Sequence, residues 1–303
     1  MIYAIMLHRY NEFIFYLSYD TVFHRKILIF ATYTNLKMIS MDRSMLNEIM
    51  GSLDNYPCVC DYRNVFEEYY EAFADYIPSG EEDKVLLMLK RKLFLPLNLS
   101  DNANGILIVG ANPSYKDGGR DENFMKTTDE LYHSVEKHWK KISEIACLGN
   151  NYQAAYLDLF PIKQTNLGDF EKVFRAHNDI RAKLLQVTHK RMLATRPMVI
   201  INLFAMTSYY WGFKVDAPDY CNEDNPWMGY KFKKIDGEGL DAYEIVGWVD
   251  NAKSILPNDE TERLAKGTVI VFSTKAWDKQ VRKEKKVDKN KLQKLLQNLN
   301  MEL

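Results

Sequence analysis

The chain has 303 residues, of which 47% are hydrophobic, 13% aromatic and 27% charged. That composition excludes a disordered or fibrous protein and supplies enough apolar surface for one large domain, or one domain with an appendage. Lysine and arginine number 40 against 41 aspartate and glutamate, a net charge of -1, so a DNA-binding face must come from local clusters of Lys and Arg and not from the overall balance.

Residues 1–41 are rich in Tyr, Phe, Ile and Leu, interrupted by His8, Arg9, Glu12, Asp20, Arg25 and Lys26. No run reaches the roughly 18 to 20 apolar residues that a membrane span requires. The compact apolar stretch and small-residue cleavage site of a signal peptide are also missing. Two readings are open: an aromatic hairpin or strand pair, or translated upstream sequence before a start at Met38 or Met41. The ordinary globular pattern begins only after Met41, which favours the second and sets residues 1–40 apart.

From residue 45 to about residue 95 the pattern is helical. Apolar positions recur at three- and four-residue steps through Val65, Tyr69, Tyr70, Phe73 and Tyr76, and again over 85–95. Pro78-Ser79-Gly80 separates the two helices, and Pro96 with the polar run 98–104 closes a helical extension spanning 41–104. Residues 106–109 then form a short all-apolar run bounded by glycines, the signature of a strand buried on both faces. Similar runs follow at 154–160, 198–204 and 268–272, with helical stretches at 128–146 and 170–194. Residues 241–249 add a further strand or hairpin after the loop-rich stretch 218–239. Strands alternating with helices predict an α/β fold, a three-layer α/β/α sandwich with a mostly parallel central sheet over 105–277. The helical N-terminal extension precedes it, and a basic helix, 278–303, follows it.

Four cysteines, Cys58, Cys60, Cys147 and Cys221, match no zinc-binding spacing. Reduced structural thiols and a cytoplasmic location fit them, with no metal and no cofactor. His133, His138, His177 and His189 fall on helical stretches without a metal-binding spacing. No Gly-x-Ser-x-Gly signature of a serine hydrolase occurs.

Each core strand runs into polar residues: Asn112-Pro113-Ser114, Pro161-Ile162-Lys163-Gln164, Ala205-Met206-Thr207-Ser208 and Ser273-Thr274-Lys275. Ligands of open α/β sheets bind outside these carboxyl ends. The first of them, Gly110-Ala111-Asn112-Pro113-Ser114, is neither a dinucleotide fingerprint nor a phosphate loop. It resembles the first active-site motif of the uracil-DNA glycosylase superfamily, which reads Gly-x-Asn-Pro-Gly in the mismatch-specific and single-strand-selective branches. Ser114 stands in place of the last glycine. The resemblance runs in strand order over about 105–275, with this motif as its specific part.

The resemblance implies hydrolysis of the N-glycosidic bond of a flipped base in DNA, on a chain acting as a monomer and without a membrane. Asn112 would position the attacking water, with the Ala111 main chain beside the base. An aromatic that stacks on the base follows the motif in the family, and Phe124 is the first choice, Tyr115 the second. Asp158 stands roughly where well-known members carry an Asn that reads the base edge. An ionised carboxylate only accepts hydrogen bonds, whereas uracil offers an O4 acceptor and an N3–H donor. A cytosine derivative with an exocyclic amine therefore suits it better, unless Asp158 caps a turn or pairs with Lys163. Some members hold an iron–sulfur cluster on four cysteines, a spacing not met here. The second family motif, His-Pro-Ser or Asn-Pro-Ser after the last strand, is replaced by Ser273-Thr274-Lys275. Ser273 takes the catalytic place at the leaving base, and Pro113, Ser114, Lys163 and Lys275 are the expected contacts to the DNA. The Lys-rich stretch 275–294 suits either phosphates or plain solvent, and Trp277 either a wedge or a core anchor. A sequence-altered glycosylase, a modified-base specialist and an inactive member that binds nucleic acid or protein all remain open; a nucleotide enzyme is disfavoured by the missing phosphate loop.

Overall fold

The computed structural model describes strand residues 3–9, 12–18 and 28–29, and residues 63–80, 82–91, 93–97, 105–114, 125–149, 152–164, 167–213, 227–249, 254–273 and 287–301. The chain divides into two units, Met1–Ser40 and Met41–Leu303. In the first, β1 (Tyr3–Arg9) pairs antiparallel with β2 (Glu12–Ser18), and β3 (Leu28–Ile29) adds to the far side of β2 through Phe15↔Ile29. β1 and β2 carry β-branched and aromatic residues that suit a pleated ribbon.

The second unit is of the α/β class, with helices and a mixed sheet of six strands. Its strands are β5 (Ile106–Gly110), β9 (Ala155–Asp158), β10 (Val199–Asn202), β11 (Tyr230–Lys234), β12 (Ala242–Trp248) and β13 (Val269–Phe272), after the short β4 (Leu95–Leu97), β6 (Met125–Thr127), β7 (Cys147–Gly149) and β8 (Tyr152–Gln153). The sheet order is β11-β12-β13-β10-β5-β9. The last four in that order are parallel, in register through Ile201↔Val271, Ile201↔Ile108 and Val109↔Leu157. The hairpin β11–β12 joins β13 antiparallel through Tyr243↔Ile270, so the strand alternative for 241–249 is the one that forms, and its partner β11 lies within the stretch 218–239 expected to be loop.

Helices α1 (Arg63–Glu71), α2 (Lys84–Lys90), α5 (Leu167–Phe174) and α6 (Asn178–Ala194) contribute Tyr70, Leu89, Phe170 and Leu184 to one core cluster, which takes Leu107, Val109, Ile200 and Ile270 from the strands. Helices α3 (Thr128–Tyr132), α4 (Lys137–Ala146) and α7 (Lys289–Asn298) contribute Leu131, Ile142 and Leu295 to a second cluster, with Ile106, Ile108, Ile201 and Val271. Successive strand residues thus alternate between the clusters, as the two-residue period of a strand dictates. This is why the strands read as unbroken apolar runs.

Four expectations change in detail. The second helix of the extension stops at Lys90 and not near residue 95. Asp83 starts it, accepting from Val85 N at 2.9 Å and Leu86 N at 3.1 Å. Beyond it Leu93 bridges to Ile162, and β4 pairs parallel with β6, because Pro96 lacks the N–H that a helix needs. The stretch 128–146 is two helices, the first begun by a capping box between Thr127 and Glu130. The stretch 170–194 likewise breaks into α5 and α6. Within the Lys-rich tail, the described helix α7 begins only at Lys289, after the cap Asp288, and buries Leu292, Leu295 and Leu296. Among the described residues no helix is long and apolar enough to cross a membrane.

α6 carries polar residues into the core, each with a partner. Thr188 bonds Tyr69 at 2.8 Å and the Leu159 carbonyl at 2.9 Å, and Arg191 reaches the Pro96 carbonyl at 2.8 Å. Buried Arg263 plays the same part for the loop before β13. It donates to the carbonyls of Met228 at 2.6 Å, Leu256 at 2.8 Å and Pro257, and lies over the rings of Tyr230 and Trp248. Replacing it by Met keeps the apolar stem but removes the donor to the buried Leu256 carbonyl and to Pro257 O, and leaves Met228 O with Ser254 alone. Arg263→Met is therefore expected to lower unfolding free energy by about 3 kcal/mol in urea titrations, given roughly 1 to 3 kcal/mol for each buried group left unpaired and partial relaxation of the loop.

Candidate active site

The chain leaves β5 for β9 on one side and returns as β10 on the other. This reversal is the topological switch point at which a crevice opens outside the carboxyl ends of the strands. Gly110 to Ser114 emerge from β5 at that point.

The segment after β5 is zipped to the segment after β9. Leu159 N donates to Gly110 O at 3.1 Å, Phe160 N to Ala111 O at 3.0 Å and Gln164 N to Pro113 O at 2.9 Å. Asn112 completes the zipper with its side chain: Nδ2 donates to Gln164 O at 2.6 Å and to Pro113 O at 3.2 Å. Two carbonyls on one side fix which end of the amide is nitrogen. Oδ1 is left as an acceptor with no partner among the described residues. Ala111 is buried, Asn112 and Pro113 are half-buried, and Ser114 is exposed.

Asp158 pairs with Gly110 across β5 and β9, and its carboxylate folds over that glycine. A Cβ on Gly110 would lie 2.1 Å from Asp158 Oδ1 and 2.3 Å from the Tyr156 hydroxyl. Tyr156 donates to Asp158 Oδ1 at 2.9 Å and is braced by Trp139, whose ring centroid lies 4.8 Å away. Asp158 is only 5% exposed. Burial pushes its carboxyl up to about 7, against the opposing pull of the Tyr156 hydrogen bond and the Arg191 charge. The pairing of Asp158 with Lys163 does not form; the hydroxyl of Tyr156 takes that place. Lys163 is itself buried at 6% exposure, unlike a lysine on an open phosphate-binding surface.

Further along the sheet, Asn202 at the end of β10 is fully buried, with Nδ2 on Phe204 O at 2.8 Å and Oδ1 accepting from Thr207 at 3.0 Å and Trp211 Nε1 at 3.1 Å. Its carbonyl receives Ser273 N at 2.8 Å, so Ser273 follows β13 two strands from Asn112, about 10 Å at 4.8 Å per strand. The expected partners Tyr115, Phe124 and Lys275 lie outside the described residues, as do Cys58, Cys60, Cys221 and Trp277. Asn112, Ala111, Pro113, Ser114 and Asp158 therefore come together, Ser273 stands beyond β10, and Lys163 is turned inward.

Sequence reasoning missed a second polar group on the same ends. Glu171 accepts from Tyr209 at 2.8 Å and Tyr210 at 2.5 Å and pairs with Arg181 at 2.8 Å, while Arg181 lies over the Trp227 ring at 4.9 Å. Burial first, then the Glu171 charge, keeps both phenols protonated as donors. The run Tyr209-Tyr210-Trp211 directly after a core strand was the available signal. His189, on α6, bonds the Tyr230 hydroxyl at 2.6 Å, and burial lowers its pKa to about 3, so it is a neutral core residue. Among the described residues no three His, Cys, Asp or Glu side chains are grouped to hold a metal. Comparison with protein-family models, curated proteins and solved structures finds no match to this chain.

Two outcomes follow. Gly110→Ala is expected to lower stability by about 3 kcal/mol or more in denaturant unfolding, at the upper end of overpacking effects, because the added methyl meets a strand-paired neighbour. Asp158 has a folded-state value of about 7 against 3.8 for an ordinary aspartate, so the folded chain binds a proton that the unfolded chain has lost between about pH 4 and 7. Stability from this group falls as pH rises through that window, by something on the order of 4 kcal/mol at 1.36 kcal/mol per unit. Asp158→Asn is expected to abolish that slope in urea midpoints measured from pH 4 to 8, and to be the more stable form at pH 8.

Proposed function

We propose that this chain is a DNA N-glycosylase of the uracil-DNA glycosylase superfamily that hydrolyses the glycosidic bond of a flipped pyrimidine. The fold proposed with it is the three-layer α/β/α sandwich; the division of the core into two clusters on alternating strand positions supports that layering. The observation that carries the reading is the Asn112 amide, tied by Nδ2 to Gln164 O so that Oδ1 is left as a fixed acceptor at the switch point. A water donating to Oδ1 is oriented toward C1′ without a second negative charge near the departing base.

Asp158 sharpens the substrate. With its pKa near 7, the carboxyl is largely protonated on the acid side of neutrality. A neutral carboxyl both donates and accepts, which matches uracil O4 and N3–H; the ionised form accepts only, which matches the N4 amine of a cytosine derivative. Uracil release is therefore expected to fall as pH rises through 7. Ser273 stands two strands away, a span wide enough for a base and sugar between it and Asn112.

A second reading, an inactive member that binds nucleic acid or a protein, is favoured by Ser273 itself, which replaces the family's His-Pro and is 2% exposed. The test is base release from single- and double-stranded oligonucleotides carrying uracil, hypoxanthine or modified cytosines. The expected result is release that drops about 100-fold in Asn112→Ala with DNA binding retained, the low end of the effect of a group that positions a reacting proton. Salt-sensitive binding with no release from any substrate would establish the binder in its place.

A further inference from the structure

Ser273 lines a cavity of about 510 Å³ that belongs to neither Asn112 nor Asp158. It lies against the ends of β10 and β13, between α4 and the first turn of α7. Ile142, Ile145, Leu203 and Val287 supply an apolar wall. Lys141, Glu144, Asp288 and Lys289 supply two charges of each sign, which cancel. Asp288 also places its carboxylate at the start of α7, accepting from Lys291 N at 3.0 Å, and so offsets the positive end of that helix. An anion gains little in such a surround, and a cation as little.

The Ser273 hydroxyl is the feature that needs an explanation. The residue is 2% exposed, its N–H bonds Asn202 O, and its hydroxyl has no hydrogen-bond partner among the described residues. Ser273 lines the cavity, so a ligand that brings one polar atom to its hydroxyl gains a hydrogen bond there. The volume falls within the range of small-molecule sites, and an apolar wall beside a few polar groups is the composition of such sites.

We infer that this cavity is a binding site for a neutral, mostly apolar organic molecule, such as an aromatic amide or alcohol, whose single polar group bonds the Ser273 hydroxyl. The site shares Ser273 with the glycosylase reading but rests on the cavity and not on that reading. Cys147, a half-buried free thiol on the cavity lining, reports on occupancy because a bound molecule shields it from alkylation.

The experiment measures iodoacetamide labelling of Cys147 in the full chain, resolved from the other cysteines by peptide mass spectrometry. The probes are 2-naphthamide, 2-methylnaphthalene and 2-naphthoate. The amide is expected to protect Cys147 at about 3- to 10-fold lower concentration than the hydrocarbon, the worth of one net hydrogen bond. Ser273→Ala should remove that difference, and Val287→Phe, which fills the cavity, should remove protection by both at an unchanged melting temperature. Ile145→Phe serves as the second filler where Val287→Phe fails to fold. Protection strongest with naphthoate, a preference that survives Ser273→Ala, or no protection by any probe at millimolar concentration would each overturn the site. Absence of base release from oligonucleotides leaves these outcomes unaltered and bears on the glycosylase reading alone.

Discussion

The backbone zipper between the ends of β5 and β9 is the constraint on which the rest of this molecule depends. Parallel strands normally diverge into independent loops at their carboxyl ends, yet here Gly110 to Pro113 stay paired with Leu159 to Gln164 for several residues past the sheet. The pairing requires a residue without a side chain at Gly110, because the carboxyl of Asp158 and the hydroxyl of Tyr156 occupy the space a Cβ would take. Asn112 then replaces a backbone donor in the same ladder, and Gln164 is held in turn from α2 by Arg91. A loop fixed in this way holds a side-chain acceptor in place without any rearrangement on binding, which is what electrostatic preorganisation asks of an active site.

Several buried polar groups elsewhere in the interior are satisfied by main-chain carbonyls. Arg263, Arg191 and Thr188 end on main-chain carbonyls of segments distant in sequence, and Asn202 on that of Phe204, two residues on. They hold irregular chain against the sheet where no ladder is available. Glu171 gathers two tyrosines and Arg181 in the same spirit, fixing the turn after β10 to α5 and α6. Against this background Asn112 Oδ1 and the Ser273 hydroxyl, neither with a partner among the described residues, stand out. Both lie at carboxyl ends of the parallel strands, where an open α/β sheet receives its ligands.

The strands were legible because the physics that forms them is local in period and composition. Ile106 to Val109, the core of 198–204 and residues 269–272 are apolar, β-branched runs too short for helices, and each formed a strand within a residue or two of the expected ends. Helix breaks were less legible. Residues 133–136 between α3 and α4, and 175–177 between α5 and α6, contain neither Pro nor Gly, so nothing in the local sequence announces them. The strand β4 was hidden for a different reason: Leu93 to Leu97 continue the helical spacing, and only the neighbours Ile162 and Met125–Thr127 draw them into extended pairing.

What the sequence determined by itself was the α/β class, the strands of the core sheet, and the position of Asn112 at the end of the first of them. Periodicity and a strand-terminal motif are properties of neighbours along the chain, and neighbours are what a sequence displays. The tertiary structure alone decided which end of the Asn112 amide stays open, that Asp158 faces a glycine and holds its proton near neutrality, that Lys163 turns inward, and that Ser273 looks into a cavity. Three of those depend on a group brought from 48 to 71 positions away, from Gly110 to Asp158, from Asn112 to Gln164 and from Asn202 to Ser273. Burial and pairing at that range arise only once the strands have found their order in the sheet.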